Sequence, residues 1–190
     1  MRFLLPMLLC LAVPPCAVAA QNLILNPDVE DGAEAPDRWT FSTAWPDKFM
    51  GDWGRDAASG KRSLRIVSRT NGMSAYWGQS VTLKPNTNYV LKARTKIVSG
   101  RALIYVHNKE LNARAYYATA VPSPLAPVFV KPEWVKDARV DSQFASPGQW
   151  FTAQLRFHSR AGGDARVSLG SYFLTGEMCF DDIRLEEATD

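Results

Sequence analysis

The stretch YVLKARTKIV, residues 89–98, decides the fold class of this chain. Its odd-numbered positions are uncharged and mostly apolar, whereas its even-numbered positions include Lys92, Arg94 and Lys96. Successive side chains of a β-strand point to opposite faces. The alternation therefore predicts a strand with one face in the core and the other in water.

Shorter runs of the same kind, rich in β-branched and aromatic residues, recur on both sides of this stretch. They span residues 63–68, 75–83, 101–107, 150–158, 165–169 and 178–185. Turn-forming pairs such as Asn71-Gly72, Ser99-Gly100 and Pro147-Gly148 separate them. No apolar pattern with helical spacing extends over eleven residues after Asn22. We therefore expect an all-β fold, an antiparallel β-sandwich or barrel, with an elaborated loop at about residues 109–146.

Residues 1–20 have the character of a secretory signal peptide, because Met1 and Arg2 precede an apolar run that ends in small residues. Residues 21–190 then form one domain of ordinary size, which we expect to be secreted or periplasmic and monomeric. No later segment approaches the roughly 20 apolar residues of a membrane span. The formal net charge of +3 is too small to indicate a nucleic-acid partner.

Several short motifs follow one another in a fixed order after the signal peptide. They are NLILNPDVEDG at 22–32, SGKRSLRI at 59–66, QSVTLKPNTNY at 79–89, GQW at 148–150 and FDDIRLE at 180–186. In this order they resemble the carbohydrate-binding modules of families 4, 9 and 22, over nearly the whole of residues 21–190. The resemblance implies a galactose-binding-like jelly roll and a non-catalytic domain that binds polysaccharide or oligosaccharide.

A sugar presents a flat apolar C–H face and a rim of hydroxyls, so its site needs exposed aromatic rings and polar side chains. For stacking we expect Trp45, Trp53 and Trp77, the first two of which lie in a polar region that contains glycine. The alternative is that Trp45 or Trp53 plugs one end of the sandwich.

Polar side chains at outward positions of two predicted strands are the second part of the expected site. If the two strands share a sheet, Arg94, Gln154 and Arg156 form a polar strip, which Tyr105 and His107 on a neighbouring strand extend. The strip suits hydroxyls or the carboxylates of an acidic glycan. The alternative is that these long side chains only solvate an exposed sheet face.

Carboxylates near the first and last strands suggest a structural calcium ion, because calcium prefers hard oxygen ligands. The resemblance implies Glu30 and one of Asp181 and Asp182 as ligands, and parity with Ile183 places Asp181 inward. The alternative is that the carboxylates accept hydrogen bonds, with Lys61 or Arg62 as partner.

No sequence motif of a hydrolase, zinc protease, redox enzyme or phosphate-binding enzyme is present. We therefore expect a non-enzymatic carbohydrate-binding protein. One alternative is a structural or adhesion domain of the cell envelope with a protein partner. The other is a polysaccharide hydrolase or lyase on the same sandwich, for which two facing carboxylates in a cleft would be required.

Overall fold

The computed structural model describes residues 21–119 and 142–188. This part of the chain contains eleven β-strands and no helix, and so none that is long and apolar enough to cross a membrane. The strands are β1 (Thr40–Thr43), β2 (Phe49–Gly54), β3 (Ser63–Ser68), β4 (Ser74–Leu83), β5 (Asn88–Ser99), β6 (Arg101–His107), β7 (Asn112–Ala118), β8 (Ser142–Phe144), β9 (Trp150–His158), β10 (Gly163–Tyr172) and β11 (Gly176–Glu187).

The strands form two sheets that pack face to face. One sheet has six strands in the order β1-β4-β10-β6-β7-β8, and the other has five in the order β2-β3-β11-β5-β9. All pairs are antiparallel except the short β7–β8 pair. Because most neighbours are distant in sequence, the chain crosses repeatedly between the sheets. The predicted antiparallel β-sandwich is confirmed.

Strand β5 behaves as its sequence predicts. Tyr89, Leu91, Ala93 and Ile97 lie in the core between the sheets, whereas the charged residues that alternate with them are only half-buried. One face of the strand therefore supplies the core and the other faces outward.

Two expectations about the chain path are corrected. Strands β7 and β8 lie inside the predicted loop at about 109–146, while residues 120–141 lie outside the described residues, as does the predicted signal peptide. In β11 the pairing with β5 shifts between Asp181 and Arg184, and Asp182 has a φ of 45°. This bulge breaks the strand parity. As a result, Asp181 pairs with Arg94, on the outward side of the sheet, and not with the core residues.

Tyr117 of β7 joins its sheet to the edge strand of the other sheet. Its hydroxyl donates to the backbone carbonyl of Gln154 at 2.8 Å and accepts from the backbone N–H of Gln154 at 2.7 Å. Gln154 lies in β9, the edge strand of the five-stranded sheet, whereas Tyr117 belongs to β7 of the other sheet. The buried phenol therefore satisfies two backbone groups that no neighbouring strand reaches.

Candidate ligand-binding face

The outer face of the six-stranded sheet carries a group of aromatic and basic side chains, which we call the tyrosine face. The strand registers place His107 opposite Arg166, and Tyr105 between Ser168 and Arg114. The tyrosine face consists of Tyr76, Leu103, Tyr105, His107, Arg114, Tyr116, Arg166 and Tyr172.

The middle of this face is a floor of small residues, Gly78, Ser168 and Gly170, on the neighbouring strands β4 and β10. A Cβ atom on Gly170 would lie 2.2 Å from Cδ1 of Tyr76, and one on Gly78 would lie 2.9 Å from Nε of Arg166. The tyrosine ring and the guanidinium group therefore lie directly over the two glycines. Glycine is needed here because of this close approach.

Ring contacts connect the aromatic residues of the face. The centroids of Tyr116 and Tyr172 are 4.9 Å apart, and those of Tyr105 and His107 are 4.3 Å apart with nearly parallel planes. The guanidinium of Arg114 lies 5.1 Å from the ring centroid of Tyr105, within cation–π distance. The face thus offers apolar ring surface with cations at its margin.

Burial keeps the polar groups of the face in defined charge states. It raises the pKa values of Tyr76, Tyr105 and Tyr172, so these phenols keep their protons and can donate hydrogen bonds. It lowers the pKa of His107, and the nearby charges of Arg166 and Arg114 lower it further. At neutral pH the face therefore combines neutral hydroxyl donors, a neutral imidazole and two guanidinium cations.

A pocket of about 540 Å³ adjoins this face at the end of the sandwich where β1 and β4 meet two loops. Trp45 and Phe173, which line it, are 40% and 36% exposed. We call it the loop-end pocket. Its lining residues are Ser42, Thr43, Ala44, Trp45, Gly72, Met73, Ser74, Tyr76 and Phe173.

The three tryptophans predicted to stack on sugars have different environments. Trp45 lines the loop-end pocket. Trp53 is half-buried: its Nε1–H donates to the carbonyl of Val29 at 2.7 Å, and Arg62 covers its ring at 4.5 Å. The prediction for Trp77 is corrected, because that side chain is only 4% exposed between the sheets and presents no ring face to a ligand.

The predicted polar strip is divided between the two sheets. Strands β5 and β9 do pair, and Arg94, Gln154 and Arg156 lie on the outer face of the five-stranded sheet. Tyr105 and His107 lie on the six-stranded sheet, so they cannot extend that strip. The reason is that β6 pairs with β10 and β7, whereas the expected neighbours were β5 and β9.

The carboxylates predicted to bind calcium accept hydrogen bonds from the loop that precedes β3. Glu30 Oε1 accepts the backbone N–H groups of Lys61 and Arg62 at 2.7 and 2.8 Å. Asp181, which is fully buried, accepts from three backbone N–H groups at 2.7 to 3.1 Å, and Asp182 Oδ1 accepts from the hydroxyl of Ser59 at 2.9 Å.

These hydrogen bonds support the alternative of a loop held by carboxylates. A calcium ligand needs an oxygen lone pair directed at the cation, whereas amide hydrogens surround Glu30 Oε1 and the Asp181 carboxylate. Within residues 21–119 and 142–188, no three His, Cys, Asp or Glu side chains are grouped to hold a metal ion. The calcium ion stays a prediction, and the geometry favours the alternative of hydrogen-bonded carboxylates.

Sequence reasoning did not select Tyr76, Arg114, Arg166, Tyr172 and Phe173. The sequence did contain a signal for Tyr76. Trp77 has the same parity as the core residues Val81 and Leu83, so its neighbour Tyr76 belongs to the outward face. Arg114 belongs to β7, which was hidden within the predicted loop. Nothing local in the sequence indicates that β4 pairs with β10 or that β7 pairs with β6.

Comparisons with known proteins support the fold. No protein-family model and no curated protein matches the chain. Among solved structures, the chain is similar to the carbohydrate-binding module TmCBM61 in complex with β-1,4-galactotriose, with 15% identity over 89% of this chain and 100% of that one and a TM-score of 0.58. It is also similar to the CBM22-1 xylan-binding domain from Paenibacillus barcinonensis, with 14% identity over 92% and 99% of the two chains and a TM-score of 0.57.

Two further similarities show that this architecture has several uses. A cyclase from Fischerella sp. TAU has 14% identity over 90% of this chain and 100% of that one, with a TM-score of 0.57. The chain spans only 21% of the enzymatically active domain of a bacteriophage CBA120 tailspike protein. Taken together, the comparisons show the fold, a jelly-roll β-sandwich of the kind found in carbohydrate-binding modules.

Proposed function

We propose that this protein is a non-catalytic module that binds polysaccharide on the tyrosine face. The observation that supports this proposal most strongly is the floor of Gly78, Ser168 and Gly170, beside which Tyr76 and Tyr105 are half-buried and directed outward. The two glycines let the Tyr76 ring and the Arg166 guanidinium lie against the sheet, and the phenol rings give a flat ligand apolar surface and hydroxyl donors. These are the groups that a pyranose ring requires.

The solved structures with the same fold are consistent with this proposal. The names of two of them state that they bind β-1,4-galactotriose and xylan. We expect affinity in the micromolar to millimolar range, about 4 to 8 kcal/mol, because stacking and hydrogen bonds to a hydrated sugar are individually weak.

We further propose a preference for acidic glycans. Arg166 lies over Gly78 and has no ion-pair partner within the described part of the chain, and its charge and that of Arg114 lower the pKa of His107. The carboxylate on this face, Asp164, accepts a hydrogen bond from the hydroxyl of Thr82 at 3.0 Å. A positive field at one end of a sugar-sized surface favours a carboxylate or sulfate substituent.

Export and oligomeric state are part of the same proposal. The apolar run within residues 1–20 supports export from the cytoplasm, where a protein that binds extracellular polysaccharide would act. The ligand-binding residues named above all belong to one chain, so a monomer suffices for binding.

A glycoside hydrolase would need two facing carboxylates, and the described strands of the tyrosine face present one, Asp164. An adhesion domain would need an apolar surface for a protein partner, whereas this face has hydroxyl and guanidinium groups. Binding without catalysis is therefore the function that the face supports best.

Affinity electrophoresis of the purified protein in gels that contain neutral or acidic polysaccharides tests the proposal. We expect retardation by at least one polysaccharide, with stronger retardation in acidic gels. Tyr105→Ala should abolish it and Arg166→Gln should weaken it in acidic gels only. Arg156→Ala on the opposite sheet is the matched control and should behave as the wild type. The absence of retardation for folded protein, or its loss in the Arg156 variant, would contradict the proposal.

A further inference from the structure

The loop-end pocket has a preformed wall. The backbone N–H of Trp45 donates to Oγ1 of Thr43 at 3.1 Å, and the carbonyl of Trp45 accepts from the N–H of Lys48 at 3.0 Å. On the other side, Phe173 exchanges backbone hydrogen bonds with Met73 and Gly72 at 2.9 and 3.0 Å. The loops that carry the two aromatic rings are therefore held in place before any ligand arrives.

The two rings are exposed although the sandwich has a well-filled core. Trp45 and Phe173 are two of the five large hydrophobic residues that are exposed in the described part of the chain, and both line the same pocket. Phe173 also has a φ of 61°, a conformation that bulky residues rarely adopt. Backbone strain that presents an aromatic ring to solvent is typical of binding sites.

The polar groups of the pocket are hydroxyls without charge. Ser42, Thr43, Ser74 and Tyr76 line it, and no lining residue is ionised at neutral pH. Ser74 Oγ is buried and forms no hydrogen bond of standard geometry with the described residues. Its interaction with the Tyr76 hydroxyl lowers the pKa of Tyr76, against the larger rise that burial causes. The pocket therefore presents uncharged hydroxyl groups, which suit the hydroxyls of a sugar.

We propose that the loop-end pocket is a second sugar subsite, which takes one uncharged pyranose ring stacked on Trp45 and Phe173. Its volume of about 540 Å³ is within the usual range of small-molecule sites. An uncharged wall disfavours a carboxylate, because a charged group would lose water there without gaining a partner. This subsite deepens the proposed function and rests on it, since Tyr76 belongs to both the pocket and the tyrosine face.

The bound chain would therefore place different sugars at different positions. An uncharged residue would lie in the loop-end pocket, and any acidic residue would lie near Arg166 at the opposite margin of the face. The protein would then recognise glycans that contain uncharged sugars, even where it prefers acidic chains.

Tryptophan fluorescence provides the test. In the described residues Trp39 and Trp77 are buried and Trp53 and Trp150 are half-buried, so Trp45 is the most accessible to a quencher among these tryptophans. We expect β-1,4-galactotriose, xylotriose or cellotriose to reduce acrylamide quenching in the wild type and not in Trp45→Phe. Trp45→Ala should weaken binding of the same trisaccharide at least tenfold, whereas Arg166→Gln should change it less than twofold.

Phe173→Gly separates a binding role from a structural one. Glycine adopts a positive φ without strain, so this variant should lose affinity at least fivefold while its melting temperature stays at or above that of the wild type. A lower melting temperature with unchanged affinity would mean that Phe173 only plugs the sandwich, and would overturn the proposal.

The two proposals fail in distinguishable ways. If the trisaccharides bind and Tyr105→Ala abolishes binding while Trp45→Ala does not weaken it, the loop-end subsite is refuted and the tyrosine face stands. If folded wild-type protein binds neither these trisaccharides nor any polysaccharide, both proposals are refuted.

Discussion

The side chain of Glu30 distinguishes two accounts of how the loop before β3 is held. In Glu30→Ala, the backbone N–H groups of Lys61 and Arg62 lose the charged oxygen that they contact at 2.7 and 2.8 Å. Hydrogen bonds to charged groups contribute about 1.5 to 3 kcal/mol each when well shielded. Because these groups are partly exposed, water replaces part of the loss, and we expect destabilisation of about 2 kcal/mol in total.

For a domain of this size, that loss corresponds to a fall of about 4 to 8 °C in melting temperature. Glu30→Gln is the matched variant, since its amide oxygen can accept the same two hydrogen bonds without the charge. Its destabilisation should stay below about 1 kcal/mol.

Thermal unfolding followed by circular dichroism, in excess EDTA and in calcium chloride, is the assay. The hydrogen-bonded account predicts that the wild-type curves with and without calcium coincide. A calcium ion bound only by the folded state, at a hundred times its Kd, would instead add about 2.7 kcal/mol. A rise of that size in the wild type, absent from both Glu30 variants, would refute our reasoning and establish the calcium site.

Two further predictions concern the sheet edge and the pH dependence of stability. Tyr117→Phe removes both hydrogen bonds to the backbone of Gln154, so urea unfolding should show a free energy of unfolding about 2 kcal/mol lower than that of the wild type. An unchanged midpoint would mean that the phenol does not hold the two sheets together. The pKa of His107 lies below its ordinary 6.5, so the unfolded chain takes up this proton first and the folded state loses stability as the pH falls through 6.5. The free energy of unfolding of the wild type should therefore fall relative to His107→Gln between pH 7 and pH 5, and a pH-independent difference would contradict the cause we assign.

Local alternation was sufficient to predict the class of fold. Residues 89–98 alternate so strictly that β5 could be placed with one face in the core and Arg94 on the other. The same kind of alternation in β9 placed Gln154 and Arg156 outward. Parity is a local property, because it depends only on the geometry of one strand.

The site could not be predicted in the same way, because it depends on which strands become neighbours. Tyr105 joins Arg166 and Tyr76 only because β10 lies between β6 and β4, and those strands are far apart in sequence. Trp77 shows a different error, since its parity with Val81 already indicated the core.

A bulge limits parity arguments even within one strand. The shift after Asp181 places this carboxylate on the side of Arg94, where it accepts amide hydrogens from the loop before β3. The apolar pattern of β11 does contain a signal of the one extra residue, because Phe180 and Ile183 have opposite parity and are both in the core, but the parity of Ile183 was extended back to Asp181 without it.

The most direct test of binding on the tyrosine face is to map the ligand by NMR. Amide and tyrosine side-chain shifts of isotopically labelled protein would be followed while a soluble fragment of a retarding polysaccharide is added. We predict that the largest changes occur at Tyr76, Tyr105 and Arg166, with little change at Arg94 and Arg156. Changes concentrated at Arg94 and Arg156 would place the ligand on the opposite sheet and contradict the account.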